Sequence, residues 1–151
     1  MHSKRTRDYD FSKRASSYDE GFEGKASKKF YNLLLREIEL SPGMVVLDSG
    51  CGTGALLSKL AAKPGITWHG IDVEEKMLAE ARKKCPQINF QIARSDKTPF
   101  SDNMFDTIIA CNSFHHFDNK TGFTKEAARI LKPGGILTLP SPASPGSSAK
   151  P

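Results

Sequence analysis

One acid and three glycines carry the clearest chemistry in this chain. They are Asp48, Gly50, Gly52 and Gly54, in the run Val45-Val46-Leu47-Asp48-Ser49-Gly50-Cys51-Gly52-Thr53-Gly54. Glycines at alternate positions let the backbone turn tightly and let a ligand approach, because no Cβ stands in the way. A helix starting just after them directs its free N–H groups toward that ligand. Asp48 repels a pyrophosphate at this place and suits a cationic ligand. A second acid, Asp72, ends the next apolar run. Its carboxylate can accept hydrogen bonds from the two hydroxyls of a ribose, or cap the helix that follows. Further on, Asn112-Ser113-Phe114-His115-His116-Phe117 places two histidines after another apolar run. They can serve as a base, orient a substrate or pack in a loop. Adjacent residues at a strand end point apart, and no third metal ligand is evident. Cys51 has no histidine placed by sequence to activate it and is read as a small side chain in the loop.

The elements that must position these residues alternate. An amphipathic helix is expected over about 26–40, with Phe30, Leu33, Leu34 and Ile38 on one face. Strands are expected at Met44–Leu47, Ile66–Ile71, Ile88–Ala93, Thr107–Cys111 and Ile136–Leu139. Helices are expected at about Gly54–Ala62, Glu74–Lys84 and Gly122–Leu131, stopped by Lys63-Pro64-Gly65 after the first and Lys132-Pro133-Gly134-Gly135 after the last. This alternation implies an α/β fold: a Rossmann-like, doubly wound parallel sheet with right-handed crossovers. Ligands in such sheets bind outside the carboxyl ends of the strands.

Asp-Ser-Gly-Cys-Gly-Thr-Gly resembles the first motif of class I S-adenosylmethionine (SAM) dependent methyltransferases. Gly70-Ile71-Asp72 resembles the second motif. Pro99-Phe100-Ser101-Asp102-Asn103-Met104-Phe105-Asp106 resembles the run before the fourth strand, and Leu131-Lys132-Pro133-Gly134-Gly135-Ile136-Leu137 the turn into the fifth. The likeness extends from about Tyr18 to Leu139 and is greatest to the small-molecule branch that includes quinone-biosynthesis methyltransferases. It implies SAM as cofactor, a small-molecule acceptor, and a site assembled from Tyr18, Asp48, Gly50, Cys51, Gly52, Gly54, Asp72, Val73, Met77, Ser95, Asp96 and Asn112. The backbone of Gly50 and Gly52 would lie against the methionine part, with Asp48 holding water or the ammonium. Val73 and Met77 would pack near the adenine; Met77 serves equally well in the core. Tyr18 would close over the cofactor from a lid, and His115 or His116 would face the acceptor. Where relatives often have an acid for the adenine amino group, this chain has Arg94, within Ala93-Arg94-Ser95-Asp96. A guanidinium cannot accept that hydrogen. Ser95, Asp96 or a stacked Arg94 remain as ways to meet the ring.

The 151 residues suffice for one core, and 38% hydrophobic content is compatible with it. No apolar run nears the ~18 residues of a membrane span, and the basic start Met1-His2-Ser3-Lys4-Arg5 lacks a signal-peptide core. Three scattered cysteines, Cys51, Cys85 and Cys111, point to free thiols in a reducing, cytoplasmic setting. The net charge is +5, and residues 1–36 carry nine Lys/Arg against five Asp/Glu. That arm reads as solvated chain; no arginine–aromatic cluster suggests nucleic acid.

The expected organisation is a flexible basic arm or lid at 1–23, a SAM-binding domain at 24–139 and a Pro/Ser-rich disordered tail at 140–151. The resembling fold continues past its fifth strand with a helix and an antiparallel hairpin. Here Leu139 is followed by a segment with four prolines. The expectation is therefore a core truncated after the fifth strand, which becomes an exposed edge open to a second copy or a partner. Two other readings compete. One is a non-catalytic SAM-fold module acting through that edge. The other is a nicotinamide oxidoreductase, since Gly50-x-Gly52-x-x-Ala55 fits a dinucleotide fingerprint.

Overall fold

The central strands of the sheet, at Val45–Ser49 and Phe105–Ile109, are short, largely apolar and buried. The structure is a computed structural model and describes residues 32, 34–110, 118–139 and 148–149. The arm at 1–23, Tyr18, Asn112, His115 and His116 lie outside the described residues.

Strand β1 (Val45–Ser49) pairs in parallel with β2 (Thr67–Asp72) on one side and β4 (Phe105–Ile109) on the other. Strand β3 (Asn89–Ile92) extends the sheet beyond β2, and β5 (Leu131–Thr138) extends it beyond β4. With a short β6 (Ser148–Ala149) the order is β3-β2-β1-β4-β5-β6. The chain reverses its direction of growth between β1 and β4, which creates the crevice that doubly wound sheets use for ligands. Helix α1 (Ala55–Leu60) joins β1 to β2, α2 (Glu75–Lys84) joins β2 to β3, and α3 (Lys120–Ile130) leads into β5.

Two apolar clusters cover the two faces. Val46, Trp68, Phe90 and Ile109 pack with Leu34, Leu57, Leu60, Leu78 and Ala81. Leu47, Ile71, Ile108 and Leu137 pack with Phe105, Phe123, Ala127 and Ile130. Neighbouring residues of one strand, such as Val46 and Leu47, thus serve opposite faces, which is why the central strands read as continuous apolar runs.

The expected strands and the three later helices are present, with shifts at their ends, while the helix expected over about 26–40 lies largely outside the described residues. Helix α1 starts one residue late because its N-cap Gly54, at φ 79°, is left-handed, and it ends at Leu60. Helix α3 starts two residues early: the Asn119 side chain accepts the Gly122 N–H at 2.8 Å and caps it. Strand β5 begins before the expected turn. Phe105 pairs with Leu131 and Thr107 with Ile136, so one residue of β4 faces the four residues Lys132–Gly135. Those four form a bulge within the strand, turned by Gly134 at φ 79°. Asp106 fastens it, because its Oδ2 accepts both Lys132 Nζ at 3.1 Å and the Val45 N–H at 2.8 Å.

The expectation of a wholly structureless tail and an open fifth strand is corrected in part. Ser148 and Ala149 pair antiparallel with Thr138 and Leu137. They lie in Gly146-Ser147-Ser148-Ala149-Lys150, the proline-free part of the tail, where backbone donors survive. An edge strand offers such a segment unpaired N–H and C=O groups.

Candidate cofactor site at the carboxyl ends of β1 and β2

Backbone contacts fix the glycine loop before any ligand is considered. Gly50, Gly52 and Gly54 have φ of 78°, 56° and 79°, which side chains with a Cβ rarely adopt. The N–H groups of Gly50 and Cys51 both donate to Ile71 O at 2.9 Å, tying the loop to β2. The Gly52 N–H donates to Asp72 Oδ2 at 2.9 Å, while Asp72 Oδ1 accepts the Glu74 N–H at 2.9 Å. One carboxylate therefore holds the loop and the entry to α2 together. The helix-capping reading of Asp72 is not realised: the N-cap of α2 is Glu74, without a side-chain cap bond, and Asp72 instead holds the N–H of that residue. Its oxygens keep further lone pairs for a ribose. The glycines divide their work. A Cβ on Gly54 would meet Ala81 Cβ at 3.1 Å, so this glycine lets α2 approach. A Cβ on Gly52 would meet nothing within 4 Å, so this glycine faces open space where a ligand can come close.

Asp48 is 3% exposed, between Gly70 of β2 and Ile109 of β4. Burial, and then the charge of neighbouring Asp72, push its pKa up to about 8. Burial also raises the Asp72 pKa, against the backbone N–H groups that favour its charged form. Cys51 is buried between these acids, and burial first, then Asp48 and Asp72, raise its thiol pKa. A buried thiol kept in its neutral form is a poor nucleophile, in line with its reading as a small loop side chain.

The remaining expected residues separate into two groups. Val73 is 59% exposed beside Asp72. Ser95 lies across the end of the sheet with its Oγ 2.6 Å from Ser49 Oγ. Both border the loop and the acids. Met77 is buried, which makes it a core residue. Asp96 is engaged elsewhere: Arg94 Nε and Nη2 donate to its two oxygens at 2.8 and 2.9 Å, and Asn119 Nδ2 donates at 3.3 Å. That ion pair leaves the Arg94 side chain 61% exposed. Sequence reasoning missed Ile92, an apolar residue 55% exposed in register with Asp72. Its signal was an apolar residue ending β3 level with the acid that ends β2. Ser49 was missed too; it lies buried between Asp48 and the first glycine.

The site therefore offers an open glycine backbone, two acids drawn toward neutrality by burial, and exposed apolar side chains at Val73 and Ile92. A ligand with a cationic end, a ribose and an aromatic base fits these three features, and SAM has all three. A pyrophosphate at the same loop would meet both acids, which disfavours the nicotinamide reading.

Comparison with known proteins agrees. The family model described as a methyltransferase domain matches residues 46–135. The demethylmenaquinone methyltransferase of Chlorobaculum parvum is 38% identical over 100 residues, 66% of this chain and 42% of that protein. Among solved structures, the methyltransferase of Haloferax volcanii in complex with the Trm112 activator superposes with a TM-score of 0.76 at 28% identity, over 86% of this chain and 59% of that one. A SAM-dependent methyltransferase from Aquifex aeolicus gives 0.73 at 29% identity, over 87% and 72%. The chain spans less than half the length of the curated relatives it matches. With its sheet order, glycine loop and paired acids, this chain belongs to the class I SAM-dependent methyltransferases, the family whose cofactor is SAM.

Proposed function

We propose that this chain forms the cofactor half of an enzyme that moves a methyl group from SAM to an oxygen, nitrogen or carbon of a small molecule. The observation that carries this reading is the pairing of Asp48 and Asp72 around a glycine loop that opens on free space. SAM supplies a methyl group already activated by a positive sulfur. The protein's share is then position and dryness, which proximity effects make worth several kcal/mol. The open backbone at Gly52 admits the methionine end. Asp48 faces its positive charge, directly or through water. Asp72 receives the ribose hydroxyls while holding the loop, Val73 and Ile92 cover the adenine faces, and Ser95 lies at its edge. Tyr18 acts as the lid, and Asn112 borders the cofactor after β4. His115 or His116 orients the acceptor and takes its proton where the acceptor does not lose it readily.

Partner pairing belongs to the same proposal. The edge of β5 ahead of Leu137 takes a second copy or an activator protein; the Haloferax volcanii relative is complexed with an activator. A cytoplasmic setting suits the free thiols of Cys51 and Cys85. Among the described residues no helix is long and apolar enough to cross a membrane.

Calorimetric titration with SAM, S-adenosylhomocysteine and NADH tests the reading. Micromolar affinity for the first two and none for NADH is expected. NADH binding without SAM binding would overturn it.

A further inference from the structure

Asp48 and Asp72 end adjacent strands, yet their surroundings differ. Asp72 receives two backbone N–H groups, one on each oxygen, from Gly52 and Glu74. Those donors favour its charged form. Asp48 is the more deeply enclosed, flanked in register by Gly70 and Ile109. Among the described residues, Asp72 of β2 is the charged group that acts on Asp48, and Cys51 of the loop feels both acids and, more weakly, Arg82 of α2. The Lys84 ammonium of α2 is directed to Thr53 Oγ1, at 3.3 Å. Strand β4 presents apolar Ile109 and Ala110. Two carboxylates enclosed this way do not both ionise readily, and the one without the backbone donors keeps the proton.

We propose that in the free protein the Asp48–Asp72 pair holds one proton, on Asp48, and that the cationic cofactor displaces it, so that SAM capture and proton release are a single event. This rests on the reading of the loop as the SAM site and adds to it a role for Asp48 as an adjustable counter-charge. The balance is simple. The Asp48 carboxyl group loses its proton to solvent, and its carboxylate then faces the positive charge of the ligand. No bond of the cofactor changes. The lowered cost of an empty site and the charge selectivity of an occupied one follow from the same residue.

Linkage gives the expected behaviour. With the free-state pKa of Asp48 near 8, close to one proton is released per SAM at pH 7. SAM affinity then rises with pH through neutrality, most steeply below about 7, and levels above about 8. The experiment is calorimetric titration of the full chain with SAM at pH 7 in buffers of differing ionisation enthalpy, on the wild type and on Asp48→Asn. It is paired with carboxyl-carbon NMR of Asp48 in the SAM-free protein. A buffer-dependent enthalpy that disappears in Asp48→Asn, and an Asp48 resonance that titrates well above the ordinary carboxylate range, support the proposal. Binding with a buffer-independent enthalpy, or an Asp48 resonance that titrates below about pH 5, overturns it and leaves the SAM site intact. Absence of binding heat and of any SAM-induced shift overturns the site reading, and the proposal with it.

Discussion

Asp48 near the carboxyl end of β1 and Glu126 on α3 carry the same functional group and are driven in opposite directions. Burial beside Asp72 raises the Asp48 pKa to about 8. Glu126 is held near about 2, first by its hydrogen bonds from Arg129 and against a burial effect that is outweighed. Around Glu126 everything is paired. Arg129 Nε donates to Glu126 Oε1 at 2.7 Å and Nη2 to Oε2 at 2.9 Å, Nη1 reaches Asp102 at 2.7 Å, and Thr98 donates to Glu126 through both N–H and O–H. The same guanidinium also donates to Phe100 O. This network ties α3 to the segment before β4. At the carboxyl ends of β1 and β2 the protein does the reverse. It brings two acids together, leaves the Gly52 face open and keeps Val73 and Ile92 exposed. Charge satisfied within the chain builds the scaffold; charge awaiting a counter-ion builds the site.

The comparison can be broken most forcefully at Gly54. Gly54→Val puts a branched side chain at φ 79° and against Ala81, and should cost about 3 kcal/mol or more of stability by strain and overlap. Chemical denaturation reads this, and a near-neutral result would mean the loop is looser than described. Asp72→Ala should weaken SAM by roughly 1.5–3 kcal/mol, since it removes a charged acceptor and frees the Gly52 N–H. Unchanged affinity would deny Asp72 both roles. Arg129→Ala should destabilise by about 2 kcal/mol through lost charged hydrogen bonds and leave SAM affinity within about twofold. A large loss of affinity there would erase the distinction between the two regions. Gly52→Ala is the mildest change. Its Cβ has room, so about 1 kcal/mol of backbone strain is expected, with normal folding and reduced SAM affinity.

The pH dependence of stability separates the two acids as well. The folded protein keeps the Asp48 proton to about pH 8, whereas the unfolded chain loses it near the ordinary value of 3.8. Between those values the folded state binds the extra proton, so this residue makes stability fall as pH rises, until it levels above about 8. For Glu126 the sign is opposite: its contribution is present above its ordinary pKa of 4.5 and is lost as pH falls toward about 2. In Asp48→Asn the fall of the thermal midpoint between about pH 7 and 8 should be lost and the acid slope kept. A slope that persists at neutral pH would place the proton elsewhere.

Much of this fold was legible because its signals are local. The run Val45–Gly54 encodes strand, turn and helix in ten consecutive residues, and Gly70-Ile71-Asp72 sets the second acid at a strand end. The four central pairings follow from the alternation of apolar runs and helices. What was not legible depends on contacts distant in sequence. The bulge at Lys132–Gly135 reads as a turn until Asp106 is seen to anchor it inside β5. Arg94 looks like a misfit for adenine until Asp96 and Asn119 are found beside it. The short β6 exists because β5 offers an edge, which no property of Ser148-Ala149 announces. The protonation of Asp48 depends on burial and on a neighbour 24 positions away, neither of which its own motif shows.

An amide-resolved NMR titration with S-adenosylhomocysteine tests the placement of the cofactor site at the glycine loop. The described arrangement predicts shifts concentrated at Gly50, Gly52, Gly54, Val73 and Ile92, with little change in the cleft of about 370 Å³ lined by Asn103, Leu131 and Lys132–Gly135 at the other end of the sheet. Shifts concentrated in that cleft, with the glycine loop unmoved, would contradict it.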